Sequence, residues 1–194
     1  DRIVLLGRSS DYMSWPEESW KIGRMYLEIE NTCCGGSQGG TIRTDEESFK
    51  DMEGNPVLLV DSTFFSMFSY NFVEGDPGNA LSSPDKCVIT ESLADVLFPD
   101  VDPMGEALRI IGQRSVTISG RDPYDSTRVY TVSGVVRDFD KTVFPNDTKI
   151  IASIDRHPQI LGYNMTSDVF VSTGHGCFKT FYLLAKGASL DSKR

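Results

Sequence analysis

The feature that most constrains the fold is a regular alternation of short apolar runs with turn-forming residues. It extends from Val60 to Gly105 and returns in VYTVSGVVRDF, residues 129–139. Apolar, β-branched runs of this length predict strands, and the Gly, Pro, Asn and Asp residues between them predict turns. At 194 residues the chain is long enough to bury a sizeable core. The residues therefore predict a mixed structure of strands and helices, as one domain or two small ones.

The spacing of apolar residues assigns the individual elements. Strands are predicted at residues 2–6, 56–60, 70–74, 87–90, 107–111, 115–119, 128–137, 148–154, 168–172 and 178–186. Helices are predicted at residues 16–31, 62–68 and 91–98. Ser92 and Asp95 have the spacing of a capping box in the third helix. Gly134, inside a strand, indicates a bulge or a close backbone approach.

The segment CCGGSQGGT, residues 33–41, contains four glycines and predicts a mobile surface loop. Residues 35–39 match the letters G-x-S-x-G of a hydrolase nucleophile elbow, but no apolar strand precedes them and no helical pattern follows. Thr41 and Ile42 stand where a phosphate-binding loop requires Lys and then Ser or Thr. The segment therefore predicts neither a nucleophile nor a nucleotide site.

Three phenylalanines lie in the short helix predicted after the strand at residues 56–60. Asp61 is a good N-cap for that helix. Phe64, Phe65 and Phe68 share one helix face because they are three and four residues apart. Such an aromatic stripe is typical of a core and not of a cofactor site. If Phe65 or Phe68 is buried, its replacement by alanine should lower the free energy of unfolding by about 3–5 kcal/mol.

The sequence predicts no catalytic residues, no metal and no cofactor. The two histidines, His157 and His175, are 18 residues apart, whereas zinc requires three or four protein ligands. Residues 100–111 match a calcium loop in part, but Met104 and Ile111 occupy positions that require oxygen ligands. A hydrolase with two carboxylates paired in space is kept as a minor alternative.

Charge and cysteine content narrow the class of protein. With 19 Lys and Arg against 28 Asp and Glu, the net charge is −9. This charge repels phosphate backbones, so nucleic acid is not an expected partner, and it argues against adsorption to anionic lipid. Cys87 lies in an apolar run and is expected in the core. Cys33 and Cys34 are adjacent, and either is a candidate disulfide partner of Cys177 in an oxidising compartment.

The two ends of the chain suggest a piece of a larger protein. No apolar run approaches the roughly 20 residues that span a bilayer. The chain begins on a strand-like run without an initiator methionine and ends in a polar segment. We expect an excised soluble piece of a larger protein, and a mature secreted protein whose leader has been removed is the alternative.

Several blocks of residues, in a fixed order, carry a resemblance to a known family. The blocks are DSTFF, VIT, SLADVLF, DPMG, YTV and GVV, within residues 57–154. They resemble the periplasmic core domain of MacB-type ABC transporter permeases, and their sequences are similar to those of permeases from Bacteroidetes-type bacteria. The structural motif that the resemblance selects consists of Asp61, Phe64, Phe65, Phe68, Gly75, Asp102, Pro103, Gly105, Gly134 and Asp138.

The resemblance implies an α+β fold with two lobes. Residues 1–52 plus 150–194 would form a βαβ-rich, membrane-proximal lobe, and residues 53–149 would form an inserted, mainly β lobe. The resemblance also implies a permease with four membrane helices and this domain between the first two. The domain would then be periplasmic, in a protein of the inner membrane.

The function that the resemblance implies is not enzymatic. The permease would couple cytoplasmic ATP hydrolysis to periplasmic movement, for efflux or for lipoprotein or peptide handling. Its partners would be an ABC ATPase subunit or domain, a periplasmic adaptor or outer-membrane component, and a second subunit in a homo- or heterodimeric permease. A free-standing periplasmic binding or adaptor module is the alternative.

Overall fold

The computed structural model describes residues 3–6, 25–44, 49–112, 127–139, 147–153 and 179–188. The strands in these ranges are β1 (Ile3–Leu6), β2 (Ile29–Thr44), β3 (Phe49–Val60), β4 (Phe72–Gly75), β5 (Lys86–Thr90), β6 (Ala107–Gly112), β7 (Thr127–Val136), β8 (Ile150–Ser153) and β9 (Lys179–Leu184). The helices are α1 (Phe64–Met67) and α2 (Glu91–Leu97). Within the described ranges, no helix has the length and apolarity needed to cross a membrane.

Six strands close into a ring through their hydrogen-bonded pairs. β2 pairs with β3, β3 with β8, β8 with β5, and β5 with β7. β7 then pairs with β6, and β6 returns to the other edge of β2. The β3–β8 and β5–β7 pairs are parallel and the other ring pairs are antiparallel. Outside the ring, β9 pairs with the first half of β2, β1 pairs with β9, and β4 pairs with β7.

The ring encloses an apolar core to which each of its six strands contributes. The buried strand residues of this interior core are Ile42, Val57, Leu59, Cys87, Ile89, Leu108, Ile110, Tyr130, Val132, Val135, Ile150 and Ala152. Leu93, Ala94 and Leu97 of α2 pack into the same cluster. The interior is therefore filled by side chains, as expected for a ring of so few strands.

A second apolar core covers the outer face of the central strands. Leu58 and Val60 of β3, Val88 of β5 and Ile151 of β8 pack in this outer core with α1 and β9. Successive side chains of a strand point to opposite faces, so a segment whose consecutive side chains are all apolar is buried on both faces. Residues 57–60 of β3, 87–89 of β5 and 150–152 of β8 are therefore sandwiched between the two cores.

A bulge in β7 changes which of its residues face the interior. Between two successive pairs with β5, β7 has one additional residue, Ser133. Tyr130 and Val132 face the interior core before the bulge, and Val135 faces it afterwards. One inserted residue produces this change from even to odd positions. The predicted irregularity at Gly134 is thus confirmed.

Two segments have a different secondary structure from the one predicted. Residues 33–41, predicted as a mobile loop, lie inside β2 and are hydrogen-bonded to β3 on one edge and to β9 and β6 on the other. Pairing with three strands outweighs the low β-propensity of glycine, and the register shifts between Gln38 and Gly40. The helix predicted at residues 16–31 is contradicted at its end, because β2 begins at Ile29.

Of the other predictions, the fold class is confirmed, whereas two strands and the division into lobes are not tested. The α+β class is confirmed, with β5 and α2 close to their predicted bounds. The strands predicted at residues 115–119 and 168–172 lie outside the described residues. β3 crosses the predicted boundary between residues 52 and 53, and β8 pairs with both β3 and β5. The division into two lobes stays a prediction.

Close contact between β4 and β7 depends on glycine. Gly75 pairs with Gly134 and has a φ of +90°. A Cβ atom on Gly75 would lie 2.6 Å from the Ser133 carbonyl oxygen and 2.8 Å from the Gly134 Cα. Gly105 has a similar φ of +87°, but no atom lies within 4 Å of its Cβ position. The two glycines therefore differ in the space around them and not in backbone strain.

We expect Gly75→Ala to lower the free energy of unfolding more than Gly105→Ala. Both substitutions place alanine at a positive φ, which costs about 1–2 kcal/mol. Only Gly75→Ala also forces the side chain against backbone atoms of β7, which should cost about 1–3 kcal/mol more. Urea unfolding followed by circular dichroism measures both losses. Equal losses would mean that β4 separates from β7 without cost.

Candidate functional site

The His, Cys, Asp and Glu side chains of the described residues do not form a cluster that could hold a metal ion. No group of three or more His, Cys, Asp or Glu residues there is placed to hold a metal ion. Cys87 is fully buried, and burial raises the pKa of its thiol, so the thiol stays protonated and packs as an apolar group. Cys33 is a buried thiol in the structure, so its predicted disulfide with Cys177 is wrong. Cys177, His157 and His175 lie outside the described residues, and the alternative disulfide between Cys34 and Cys177 stays a prediction.

Seven aromatic side chains form a continuous cluster on the outer face of the ring. The members of this aromatic cluster are Phe64, Phe65, Phe68, Tyr70, Phe72, Phe139 and Phe181. Phe64 is fully buried, and its ring centroid lies 5.1 Å from that of Phe68 and 5.5 Å from that of Tyr70. Neighbouring rings at these separations attract each other beyond the effect of burial alone.

The aromatic cluster joins segments that are distant in sequence. Phe68, beside α1, packs edge-on against Phe181 of β9 with centroids 5.2 Å apart. Tyr70 packs against Phe139, which follows β7, at 5.0 Å. Burial raises the pKa of the Tyr70 hydroxyl, and the nearby Cys33 raises it further, so the ring carries no charge. The cluster therefore connects β9 to the end of β7 through α1.

Polar contacts fix the start of α1. Thr63 donates its backbone N–H to Asp61 Oδ1 at 3.0 Å, and its hydroxyl lies 2.7 Å from the backbone oxygen of Thr32 in β2. Asn31 Nδ2 donates to Ser66 Oγ at 2.9 Å. Asp61 is buried, and its carboxylate orders the turn by accepting the N–H two residues further on. The predicted helix at residues 62–68 is shorter in the structure, and the prediction that Asp61 is its N-cap is wrong. Thr63 occupies the N-cap position, and Asp61 orders the turn before it.

A second polar assembly, the Asp138 bridge, consists of Asp138, Ser92 and Lys149. Asp138 Oδ2 accepts the backbone N–H of Ser92 at 2.9 Å, and Oδ1 accepts the Ser92 hydroxyl at 2.6 Å. Lys149 Nζ lies 2.6 Å from Asp138 Oδ1. Asp138 thus satisfies a free N–H at the start of α2, and the capping box predicted from Ser92 and Asp95 is replaced by this longer-range contact.

The hydrogen bonds of the Asp138 bridge determine the charge of its carboxyl group. Partial burial raises the pKa of Asp138, but hydrogen bonds from Lys149 and Ser92 outweigh it and hold that pKa below its ordinary value. The Lys149 backbone extends the bridge, since its N–H donates to Pro56 and its carbonyl accepts the N–H of Thr90. The bridge therefore ties α2 to β3, to β5 and to the residues that follow β7.

The Asp102–Gly105 turn is attached to the ring at β7. Asp102 Oδ1 accepts the N–H of Met104 at 2.9 Å, and Gly105 donates its N–H to Val132 O at 2.8 Å. Met104 packs against the interior core, and Pro103 O accepts the N–H of Glu106 at 3.1 Å. This turn thus holds a side chain against one end of the enclosed core.

The ten residues of the predicted motif do not converge on one pocket. They lie in the aromatic cluster and its turn, in the β4–β7 contact, in the Asp102–Gly105 turn and in the Asp138 bridge. Sequence reasoning missed Tyr70 and Lys149 as partners. Tyr70 carried a signal, as an aromatic residue beside three phenylalanines, whereas Lys149 carried none. The structural role of the ten residues together stays a prediction.

Three solved structures share the fold of this chain. A domain of a protein assigned as a permease from Porphyromonas gingivalis has a TM-score of 0.64 at 18% identity, covering 99% of this chain and 79% of that one. The periplasmic region of MacB from Actinobacillus actinomycetemcomitans has a TM-score of 0.56 at 13% identity, with coverages of 95% and 71%. The extracellular domain of the ABC-type transporter YknZ from Gram-positive bacteria has a TM-score of 0.57 at 14% identity, with coverages of 98% and 86%.

The fold is thus that of extracytoplasmic domains of ABC-type permeases. The sequence model of the MacB-like periplasmic core domain matches residues 35–192, which is most of the chain. The chain belongs to the MacB-like periplasmic core domain family, and it is the periplasmic or extracellular domain of an ABC-type permease. Comparison with curated proteins gives no match. The resemblance inferred from the sequence is confirmed.

We expect Phe64→Ala to lower the free energy of unfolding by about 3–5 kcal/mol, because the fully buried ring leaves a cavity in the outer core. Phe65→Ala is the matched control, since Phe65 is its neighbour in α1 and only partly buried, and its loss should be smaller. Denaturant unfolding at neutral pH measures both values. The same loss for both variants would contradict the view that Phe64 is the centre of the cluster.

We expect Asp138→Asn to lower the free energy of unfolding by about 1 kcal/mol at neutral pH, as the loss of an exposed, charge-assisted contact. The folded-state pKa of Asp138 is lowered, so the carboxylate stabilises the fold fully above its unfolded pKa of about 3.9. This stabilisation is lost as the pH falls through the folded-state pKa. The difference between wild type and variant should therefore disappear in acid.

A double-mutant cycle with Ser92→Ala tests the Asp138 bridge directly. Ser92→Ala removes the hydroxyl that donates to Asp138 and leaves the backbone N–H in place. If the two residues act together, the loss for the double variant will be smaller than the sum of the single losses. Additive losses, or a difference that persists unchanged in acid, would refute the bridge.

Proposed function

We propose that this domain transmits movement outside the cytoplasmic membrane and catalyses no reaction itself. The parent permease would lie in the inner membrane, and an ABC ATPase subunit or domain would supply the energy of ATP hydrolysis. A second permease subunit would complete a homo- or heterodimer, with a periplasmic adaptor or outer-membrane component as a further partner. The movement would serve efflux or the handling of lipoproteins or peptides.

The observation that carries this proposal is the closed strand ring with a core on each side of β3, β5 and β8. A body that transmits movement must not deform when one end is displaced. Strands hydrogen-bonded on both edges and buried on both faces meet this requirement, because a local displacement disturbs close-packed neighbours at once. Family membership supports the permease context in which such a body would be used.

The motif residues fit the same role. The aromatic cluster and the Asp138 bridge each attach a helix to the ring, through α1 and α2 respectively. Neither helix has the length to be stable alone in water. Their attachment would make helices and ring move as one unit. The predicted lobes, residues 1–52 plus 150–194 and residues 53–149, would then move together or hinge only at the ends of shared strands.

Distance measurements between spin labels on the full-length permease test this proposal. Val96 in α2 and Val73 in β4 are both about half exposed, at 50% and 46%. Labels would be attached there through a ketone-bearing unnatural amino acid, which leaves the native cysteines untouched. We expect the distance between Val96 and the equivalent position of the other subunit to shift on ATP binding, by on the order of 5 Å.

The control is the distance between Val73 and Val96 within one copy of the domain. It should stay the same with and without ATP, because both positions belong to one rigid unit. A change within the domain that is as large as the change between subunits would exclude a rigid transmitting body. An unchanged distance between subunits would exclude coupling to ATP and favour a binding or adaptor module.

A further inference from the structure

Three consecutive apolar side chains are exposed just before β2. Met25 is 74% exposed, Tyr26 43% and Leu27 98%, and we call these three residues the apolar tip. The other large apolar side chains that are exposed in the described ranges are the isolated valines Val73, Val96, Val101 and Val129. Single exposed valines are ordinary, whereas a contiguous exposed group marks a contact surface.

The apolar tip lies at the end of the sheet where the described chain enters and leaves it. Ile29, two residues after the tip, pairs with Leu184 at the end of β9. Ile3, at the start of β1, pairs with Leu183. The N–H of Ala185 donates to the carbonyl of Glu28 at 2.8 Å. With neighbouring strands about 4.8 Å apart, the tip is within roughly 10 Å of both ends.

We propose that the apolar tip inserts into the headgroup region of the lipid bilayer. This inference rests on the proposed function, in which the domain is attached to a membrane-embedded permease. The polypeptide enters and leaves the sheet beside the tip, so attachment to the membrane through these ends directs the tip at the bilayer. Tyrosine is enriched at this depth of a membrane, since its ring is apolar and its hydroxyl stays hydrated.

The size and charge of the region favour lipid over a protein partner. Three side chains supply far less than the roughly 800 Å² per partner that a stable protein interface buries. Shallow insertion into lipid needs no complementary surface and gains from each side chain removed from water. The net charge of −9 opposes attraction to anionic headgroups. Insertion driven by apolar burial should therefore be stronger in zwitterionic than in anionic bilayers.

Lipid quenching on the 194-residue chain tests the proposal. The chain would be held on phosphatidylcholine vesicles by a C-terminal histidine tag and a nickel-chelating lipid, with a fluorophore at Leu27 or at Val96. A doxyl group near the headgroup should quench the fluorophore at Leu27 and leave that at Val96 unaffected. Replacing part of the lipid with phosphatidylglycerol should reduce the quenching. Equal quenching at both positions, or none at Leu27, would overturn the proposal.

A second measurement distinguishes quenching caused by insertion of the tip from quenching caused by the histidine-tag attachment. With the fluorophore at the exposed Lys186, on the same end of the sheet, Met25→Ser/Leu27→Ser should abolish the quenching. The ratio of inserted to free tip should fall about a hundredfold, since each side chain contributes at least about tenfold. Val96→Ser is the matched control and should keep the quenching.

The outcomes distinguish this inference from the proposed function. Quenching at Lys186 that survives the double substitution would assign the contact to the histidine-tag attachment and overturn the inference. A double substitution that changes the oligomeric state and not the quenching would assign the tip to a second copy of the chain, which also overturns it. The spin-label distances test coupling to ATP, and their result does not depend on lipid contact.

Discussion

Closure of the six-strand ring is the constraint on which the rest of the structure depends. It requires one strand, β2, to be long enough to pair with β3 on one edge and with both β9 and β6 on the other. The first half of β2 thereby joins the outer strands, and its second half completes the ring. Unpaired strand edges are costly to bury and prone to association. Closure of the ring avoids this cost, because it pairs the strands that surround the interior core with one another.

Local structure could be predicted from the sequence where neighbouring residues determine it. The run CVIT and the apolar periodicity that follows it predicted β5 and α2 almost at their observed bounds, because a short apolar run and a 3.6-residue period follow each other within 12 residues. The prediction of a loop at residues 33–41 was wrong because distant residues determine the structure there. The glycines of this segment carry no local preference for a strand, and its pairing partners at Val60 and Gly112 lie far along the chain.

The same distinction explains the motif residues. Asp138 was selected by resemblance, but its contact with Ser92 spans 46 residues and is invisible to any local pattern. The phenylalanine stripe predicted a core, yet periodicity alone could not tell which ring would be fully buried. Phe64 is the fully buried ring, because Phe65, Phe68 and Tyr70 all pack around it. The sequence predicts where the aromatic stripe lies, whereas contacts with residues distant in sequence determine how deeply each of its rings is buried.

The aromatic cluster provides a continuous series of contacts from β9 to the Asp138 bridge. Phe181 contacts Phe68, Phe68 contacts Phe64, and Phe64 contacts Tyr70, which contacts Phe139 beside the bridge. In the proposed function, a displacement of β9 would pass along these close-packed contacts without any reactive centre. β9 also ends beside the apolar tip. Contact of the tip with a membrane would therefore fix one end of the same path of side chains that leads to α2, and movement at that end would have to be taken up by the whole ring.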